Sequence, residues 1–83
     1  MTQTWFTKRN GVSATRVNGH LIELSNGIVM CNSLGVTPTR VAMSSATEEE
    51  TKDAALKHVR RIVDRRIREL RKTSDMLFFA LGS

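Results

Sequence analysis

Three Asn-Gly pairs recur in the N-terminal half of the chain at a constant spacing of eight residues: Asn10-Gly11, Asn18-Gly19 and Asn26-Gly27. Asn-Gly between extended segments is the strongest short-range signal for a β-hairpin, because a two-residue type I′ turn requires positive φ at both central residues. Gly35 continues the spacing. The pattern predicts a β-meander, in which each strand pairs with the next one along the chain.

The turns also predict the limits of the strands and their register. Reading outward from the turns gives strands over residues 3–9, 12–17, 20–25 and 28–33 and, after a break at 34–38, a fifth extended segment over 39–44. Two-residue loops place residue 9 opposite 12, residue 17 opposite 20 and residue 25 opposite 28. Every other pair in the sheet follows by counting back from these.

This register divides the residues of the sheet between two faces. The predicted core face collects Phe6, Val17, Ile22, Leu24, Val29 and Cys31. The predicted outer face mixes apolar and charged side chains: Trp5, Arg9, Val12, Ala14, Arg16, Leu21, Glu23, Ile28, Met30 and Asn32. On that face Trp5 lies opposite Arg16, within range of a cation–π contact. A register shift of one residue would exchange the two faces.

A long amphipathic helix is predicted after the sheet. Thr47 and Glu50 are spaced as a capping box, in which each side chain accepts a hydrogen bond from the other residue's amide. Apolar residues then recur in steps of three and four, which places them on one side of a helix over residues 47–73: Ala55, Leu56, Val59, Ile62, Val63, Ile67 and Leu70. The fold class is therefore α+β, with a four- to five-stranded antiparallel β-meander over residues 1–46 and one long C-terminal amphipathic helix packed on one face of a single domain, 1–83.

Residues 74–83 form an apolar tail for which three structures are open. Ser74-Asp75 could cap a second short helix, residues 76–81 could form a strand, or the long helix could continue. The tail contains two phenylalanines and no charge after Asp75. We expect such a segment to be covered, either by the chain's own core or by a second subunit of a homodimer through residues 76–81.

The net charge of +5 is concentrated in one segment: residues 60–72 contain seven Arg or Lys against Asp64 and Glu69. On a helical wheel five cations fall within about 80° of one another, away from most of the apolar side: Lys57, Arg61, Arg65, Arg68 and Lys72. This face is either a solvated surface, balanced by pairs such as Asp64 with Arg60 or Arg68, or a surface that binds phosphates. The excess of arginine favours phosphate recognition, because guanidinium groups bind phosphate oxygens in bidentate geometry.

The outer sheet face is a second candidate site. Trp5 flanked by Arg9 and Arg16 has the composition of a surface that stacks and binds single-stranded nucleic acid. The alternative is that Trp5 covers an edge of the core. Arg66 falls within the apolar sector of the helix, where we expect it to lie at the margin or to pair with Glu23 or Asp75.

No catalytic, cofactor or metal site is predicted. His20 and His58 have no motif spacing to each other or to Cys31. Cys31, the single cysteine, is expected to pack in the core as a small apolar group. The glycines are spaced as turn formers and match no nucleotide-binding loop. Without a secretory signal or an apolar run of about 18 residues, the expected compartment is the cytoplasm, with no membrane partner.

Two function hypotheses follow from the charge. In the first, the chain is a small basic accessory or regulatory protein, not an enzyme, that binds DNA or RNA through the arginine-rich helix face. In the second, it is a small protein-binding inhibitor or antagonist of a larger complex, such as one that handles nucleic acid, of the phage or mobile-element type. Its basic face would then bind an acidic or nucleic-acid-binding protein surface. A purely structural homo-oligomeric subunit is a third interpretation.

Overall fold

A computed structural model describes residues 3–82 of the chain. Its five strands form one antiparallel sheet in which every strand lies beside its neighbour in sequence. The strands are β1 Phe6–Thr7, β2 Ser13–Val17, β3 His20–Ser25, β4 Ile28–Cys31 and β5 Val36–Arg40. One long helix, α1, follows over Glu48–Gly82. The predicted fold class, an antiparallel β-meander followed by one long helix, is confirmed.

The second and third hairpins have the predicted two-residue turns. Val17 pairs with His20 and Ser25 pairs with Ile28. Asn18 and Asn26 have φ angles of 50° and 51°, as the first central residue of a type I′ turn requires. The register of β2, β3 and β4 is therefore as the sequence predicts.

The first hairpin differs from the prediction by one residue. The Lys8 amide donates to the Val12 carbonyl at 2.8 Å, and the Gly11 amide donates to the Lys8 carbonyl at 2.9 Å. The loop is thus three residues long, a turn completed by Gly11 in the left-handed region at φ 82°, which is the second common type of hairpin connection. Phe6 consequently pairs with Ala14, so the predicted pairing of residue 9 with residue 12 is wrong.

This shift exchanges the two faces of β1. Phe6, predicted in the core, is on the outer face and is 44% exposed. Lys8 lies on the outer side as well, where its Nζ forms an ion pair with Glu23 Oε2 at 3.2 Å. Trp5, predicted on the outer face, packs against the hydrophobic core beside α1. Its cation–π partner is Lys52, whose Nζ lies 5.7 Å from the ring centroid, and the predicted contact with Arg16 is wrong.

The fifth strand begins earlier than predicted. A short 3-10 turn, Asn32–Leu34, ends at Gly35 in the left-handed region at φ 69°. Val36 then pairs at once with Cys31, with an irregularity in β4 between Val29 and Cys31. Because β5 is an edge strand, it tolerates Pro38, which has no amide to donate. The predicted loop over 34–38 and strand over 39–44 are therefore corrected to a strand over Val36–Arg40.

The hydrophobic core lies between the sheet and the first part of α1. It consists of Ile22, Leu24, Val29, Cys31, Val36, Ala55 and Val59. Thr15 is also fully buried, and its hydroxyl donates to the Thr4 carbonyl at 2.6 Å while accepting from Gln3 Nε2 at 2.7 Å. The N-terminal segment before β1 is thereby held along β2.

Helix α1 begins with the predicted capping box. The Glu50 amide donates to Thr47 Oγ1 at 3.1 Å, and the Thr47 amide donates to Glu50 Oε1 at 3.3 Å. Only residues 48–63, here called the packed half, contain buried or half-buried apolar side chains of the helix; every residue of the projecting half, 64–82, is exposed. The protein is consequently elongated, with extents of 55 × 25 × 24 Å and a radius of gyration of 16.2 Å, against about 12 Å for a compact chain of this length.

Two further predictions about the helix need correction. The boundary at residue 73 is wrong, because α1 continues through the tail to Gly82; residue 83 of the predicted tail lies outside the described residues. Arg66 forms no ion pair with Glu23 or Asp75 among residues 3–82, and Glu23 is paired with Lys8 instead. The Arg66 guanidinium lies over Gly35, so close that a Cβ at this glycine would lie 2.5 Å from Nη2.

Candidate functional site

The five cations predicted to share one side of the helix form a continuous basic stripe: Lys57, Arg61, Arg65, Arg68 and Lys72. All five are exposed. At a rise of 1.5 Å per residue the stripe extends about 22 Å, from the packed half into the projecting half. It lies on the side of α1 away from the sheet, because the buried side chains of the helix, Ala55 and Val59, are on the opposite side.

Few carboxylates neutralise this stripe. Lys57 Nζ forms an ion pair with Asp53 Oδ2 at 2.8 Å. The nearby contact between Arg60 and Asp64 is long, at 3.7 Å, and Arg60 is outside the stripe. Within the described part of the chain, Arg61, Arg65, Arg68 and Lys72 take part in no ion pair. The stripe therefore presents four solvated cations, the arrangement that a phosphate-binding surface requires.

A small polar pocket extends the stripe toward the sheet. It has a volume of about 220 Å³ and is lined by Arg40, Val41, Ala54, His58 and Arg61. Arg40 is oriented by donating from Nη1 to the carbonyls of Asn26 at 3.3 Å and Ala42 at 3.4 Å. His58 Nε2 is buried and has no hydrogen-bond partner among the described residues. Buried polar atoms are nearly always hydrogen-bonded, so this unpaired nitrogen is an exception to the usual pattern.

Arg40 and His58 were missed as site residues by sequence reasoning. Arg40 is the last residue of β5, but the prediction made it the second residue of a strand over 39–44. The predicted strand therefore gave no reason to place Arg40 beside the helix. For His58 the sequence shows no metal-binding spacing and predicts an ordinary surface or margin histidine. The helical spacing of His58 and Arg61, three residues apart on α1, was the available signal.

The second predicted site is not assembled. Trp5 is half-buried between the core and Lys52. Arg9 lies in the three-residue loop before β2, and Arg16 is exposed within β2. The structure therefore does not bring Trp5, Arg9 and Arg16 together as a stacking platform with flanking cations, and Trp5 takes the structural role at the core that was the alternative.

The remaining polar candidates have structural contacts. Cys31 is buried in the core, as predicted, with Sγ 3.6 Å from Ser33 Oγ. His20 Nδ1 lies 2.8 Å from the same hydroxyl. Among residues 3–82, no group of three or more His, Cys, Asp or Glu side chains is placed to hold a metal ion.

Comparisons of the chain with protein-family models, curated proteins and solved structures gave no match. In the part of the chain that the structure describes, no helix combines the length and the apolarity needed to cross a bilayer.

Proposed function

We propose that this protein binds nucleic acid through phosphate contacts of the basic stripe. The observation that supports the proposal is that four of the five stripe cations have no carboxylate partner among the described residues and point to solvent from a helix. Three of these four are arginines, which bind phosphate oxygens in bidentate geometry. The pocket beside Arg40 and Arg61 offers a further point of attachment for an anionic oxygen.

The shape of the projecting half suits this role. An α-helix has a diameter of about 10–12 Å with its side chains, and the major groove of B-DNA is about 12 Å wide. A helix with one basic side can therefore follow a groove or a single strand while its other side stays free. Contacts made only to phosphates give affinity without sequence preference, so we expect weak discrimination between sequences.

Fluorescence anisotropy of labelled single- and double-stranded DNA and RNA, titrated with the protein at several salt concentrations, tests the proposal. We expect binding that weakens steeply as salt rises, because each neutralised phosphate releases counterions. The double variant Arg65→Glu/Arg68→Glu should weaken binding at least about tenfold for every sequence and lower the salt slope by about two, since each phosphate contact contributes about one.

Arg9→Glu/Arg16→Glu is the matched control, because it makes the same change in net charge on the sheet. We expect this variant to bind almost as tightly as the wild type. No binding at low salt would overturn the proposal. A loss of oligonucleotide affinity that occurs only in the Arg9→Glu/Arg16→Glu variant would indicate that the binding site is on the outer sheet face.

A protein partner with an acidic surface is the second candidate function. The observation that favours it is that Met76 and Phe79, 65% and 73% exposed, continue the projecting half beyond the basic stripe. Methionine and aromatic residues are enriched in protein interfaces, and phosphate contacts make no use of them. Met76→Ala/Phe79→Ala should leave oligonucleotide affinity unchanged; a loss of oligonucleotide affinity in this variant would show that these side chains contact nucleic acid and would remove their support for a protein partner.

A further inference from the structure

We propose that two copies of this chain pair antiparallel through the projecting halves of their helices. The contact would be an apolar seam along α1: Val63, Ile67, Leu70, Ser74, Leu77 and Leu81. Four of its members, Ile67, Leu70, Leu77 and Leu81, are 50%, 67%, 57% and 86% exposed. Exposed aliphatic residues aligned along one side of a helix mark a surface that another element covers.

The spacing of the seam indicates another helix as that element. Its residues follow one another in steps of four, three, four, three and four, the heptad repeat of two helices that supercoil about each other. Only Ser74 is polar, and it is small. The helical angles of Met76 and Phe79 place them outside the seam. The seam therefore includes only some of the apolar residues of the tail.

Antiparallel pairing places every seam residue level with another. If Leu70 lies level with Ser74 of the second copy, then Ile67 lies level with Leu77 and Val63 lies level with Leu81. All three pairs share one two-fold axis at the level of residue 72. The interface is therefore self-complementary, as a closed symmetric dimer requires.

Parallel pairing is disfavoured by the position of the sheet. Val63 belongs to the seam and also packs against the core, so the sheet and the seam lie on the same side of α1. Two parallel helices would bring both sheets to the same end of the dimer, where they would collide. Antiparallel helices place the sheets at opposite ends.

A groove in the body of the protein meets the end of this seam. It lies between the sheet and α1, has a volume of about 470 Å³, and is lined in part by Val17, Leu34, Leu56 and Val63. Val17 is 40% exposed there. In the antiparallel register Leu81 of the second copy lies level with Val63, at this groove. The apolar surface of the seam is thus continuous with the apolar surface of the body.

The pairing leaves the basic stripe free. The seam and the stripe lie on opposite sides of α1 by helical angle, so the two stripes of a dimer would face outward in opposite directions. The proposal is consequently independent of nucleic-acid binding, and either can fail while the other holds.

Light scattering coupled to size-exclusion chromatography, over a wide range of protein concentrations, tests self-pairing. We expect a mass twice the chain's 9.3 kDa at high concentration. Leu70→Glu and Leu77→Glu should each return the mass to that of one chain, since each places a charge in the seam. Both positions are exposed and outside the core, so circular dichroism should show that the fold is retained.

Met76→Glu is the matched control, because it introduces the same charge in the same half of the helix but off the seam; it should remain dimeric. A wild-type mass of one chain at every concentration would overturn the proposal. So would a dimer that survives Leu70→Glu. A monomer that sediments with vesicles of zwitterionic phospholipid, whose net-neutral surface gives the basic stripe little to bind, would assign the seam to a membrane surface and would overturn it as well.

Disulfide crosslinking tests the orientation. We expect a mixture of the variants Ile67→Cys and Leu77→Cys to form a linked heterodimer on mild oxidation, because these positions lie level in the antiparallel register. The buried Cys31 is protected from this reaction, which wild-type protein alone verifies. Ser74→Cys lies level with itself only in a parallel pair, so efficient crosslinking of this variant with itself would overturn the antiparallel arrangement.

Discussion

The two halves of α1 have similar apolar periodicity and opposite environments. Residues 48–63 bury Ala55 and Val59 and half-bury Leu56, Ile62 and Val63 against the sheet. Residues 64–82 continue the same apolar side with leucines and an isoleucine, yet every one of these residues is exposed. A periodic apolar pattern therefore identifies the side of a helix that is to be covered, while the length of the sheet decides how much of that side the same chain can cover.

The largest expected difference is between removing a leucine of the core under the packed half and removing a leucine of the projecting half. Leu24→Ala in the core should lower the free energy of unfolding by about 2–5 kcal/mol, because it leaves a cavity. The same change at Leu81 should cost less than about 0.5 kcal/mol, as is usual for a surface position. Urea denaturation in the Leu70→Glu background, which removes self-pairing, measures both. A cost above about 1 kcal/mol at Leu81 would show that the projecting half packs on the body.

A smaller effect is expected where the projecting half touches the turn before β5. Gly35→Ala should cost about 1–2 kcal/mol for the left-handed backbone, with only a small addition from the Arg66 guanidinium, because the added Cβ would meet the end of a flexible, exposed side chain. In an Arg66→Ala background only the backbone cost should remain, again by urea denaturation. Equal costs in the two backgrounds would mean that the Arg66 side chain moves aside freely and does not tie the projecting half to the sheet.

The smallest expected effect concerns two threonines of the helix. Thr47→Ala removes the N-cap of the packed half and should cost about 1 kcal/mol. Thr73 lies within the projecting half and donates to the Glu69 carbonyl at 3.0 Å; Thr73→Ala should be neutral or stabilising by a few tenths of a kcal/mol, since alanine is the better helix former. Thermal unfolding followed by circular dichroism compares the stability of the two variants. A cost at Thr73 equal to that at Thr47 would contradict the view that the projecting half is a regular solvated helix.

The fold could be predicted from the turns and the helix cap because these are local signals. Asn18 and Asn26 fix their turns through positive φ, and Thr47 and Glu50 fix the start of α1 through two hydrogen bonds. The first hairpin could not be predicted in the same way, since Asn-Gly is also compatible with a three-residue loop ending in a left-handed glycine. The choice between these loops exchanged Trp5 and Phe6 between the faces.

The candidate site could be predicted only where it depends on one helix. Helical geometry places the five stripe cations together without reference to the sheet. The part of the site near Arg40 depends on where β5 begins, which is decided by the pairing of Val36 with Cys31 after the 3-10 turn. The exposure of residues 64–82 could not be predicted, because it depends on the extent of the sheet and not on the sequence of the helix.

The length of α1 gives this small protein a long span. Its 9.3 kDa extend over 55 Å, and the span is bridged by a hydrogen-bonded helix in place of a flexible linker, whose ends would vary in separation. Any two groups attached at the sheet and near Leu81 would therefore be held at a nearly fixed distance from each other.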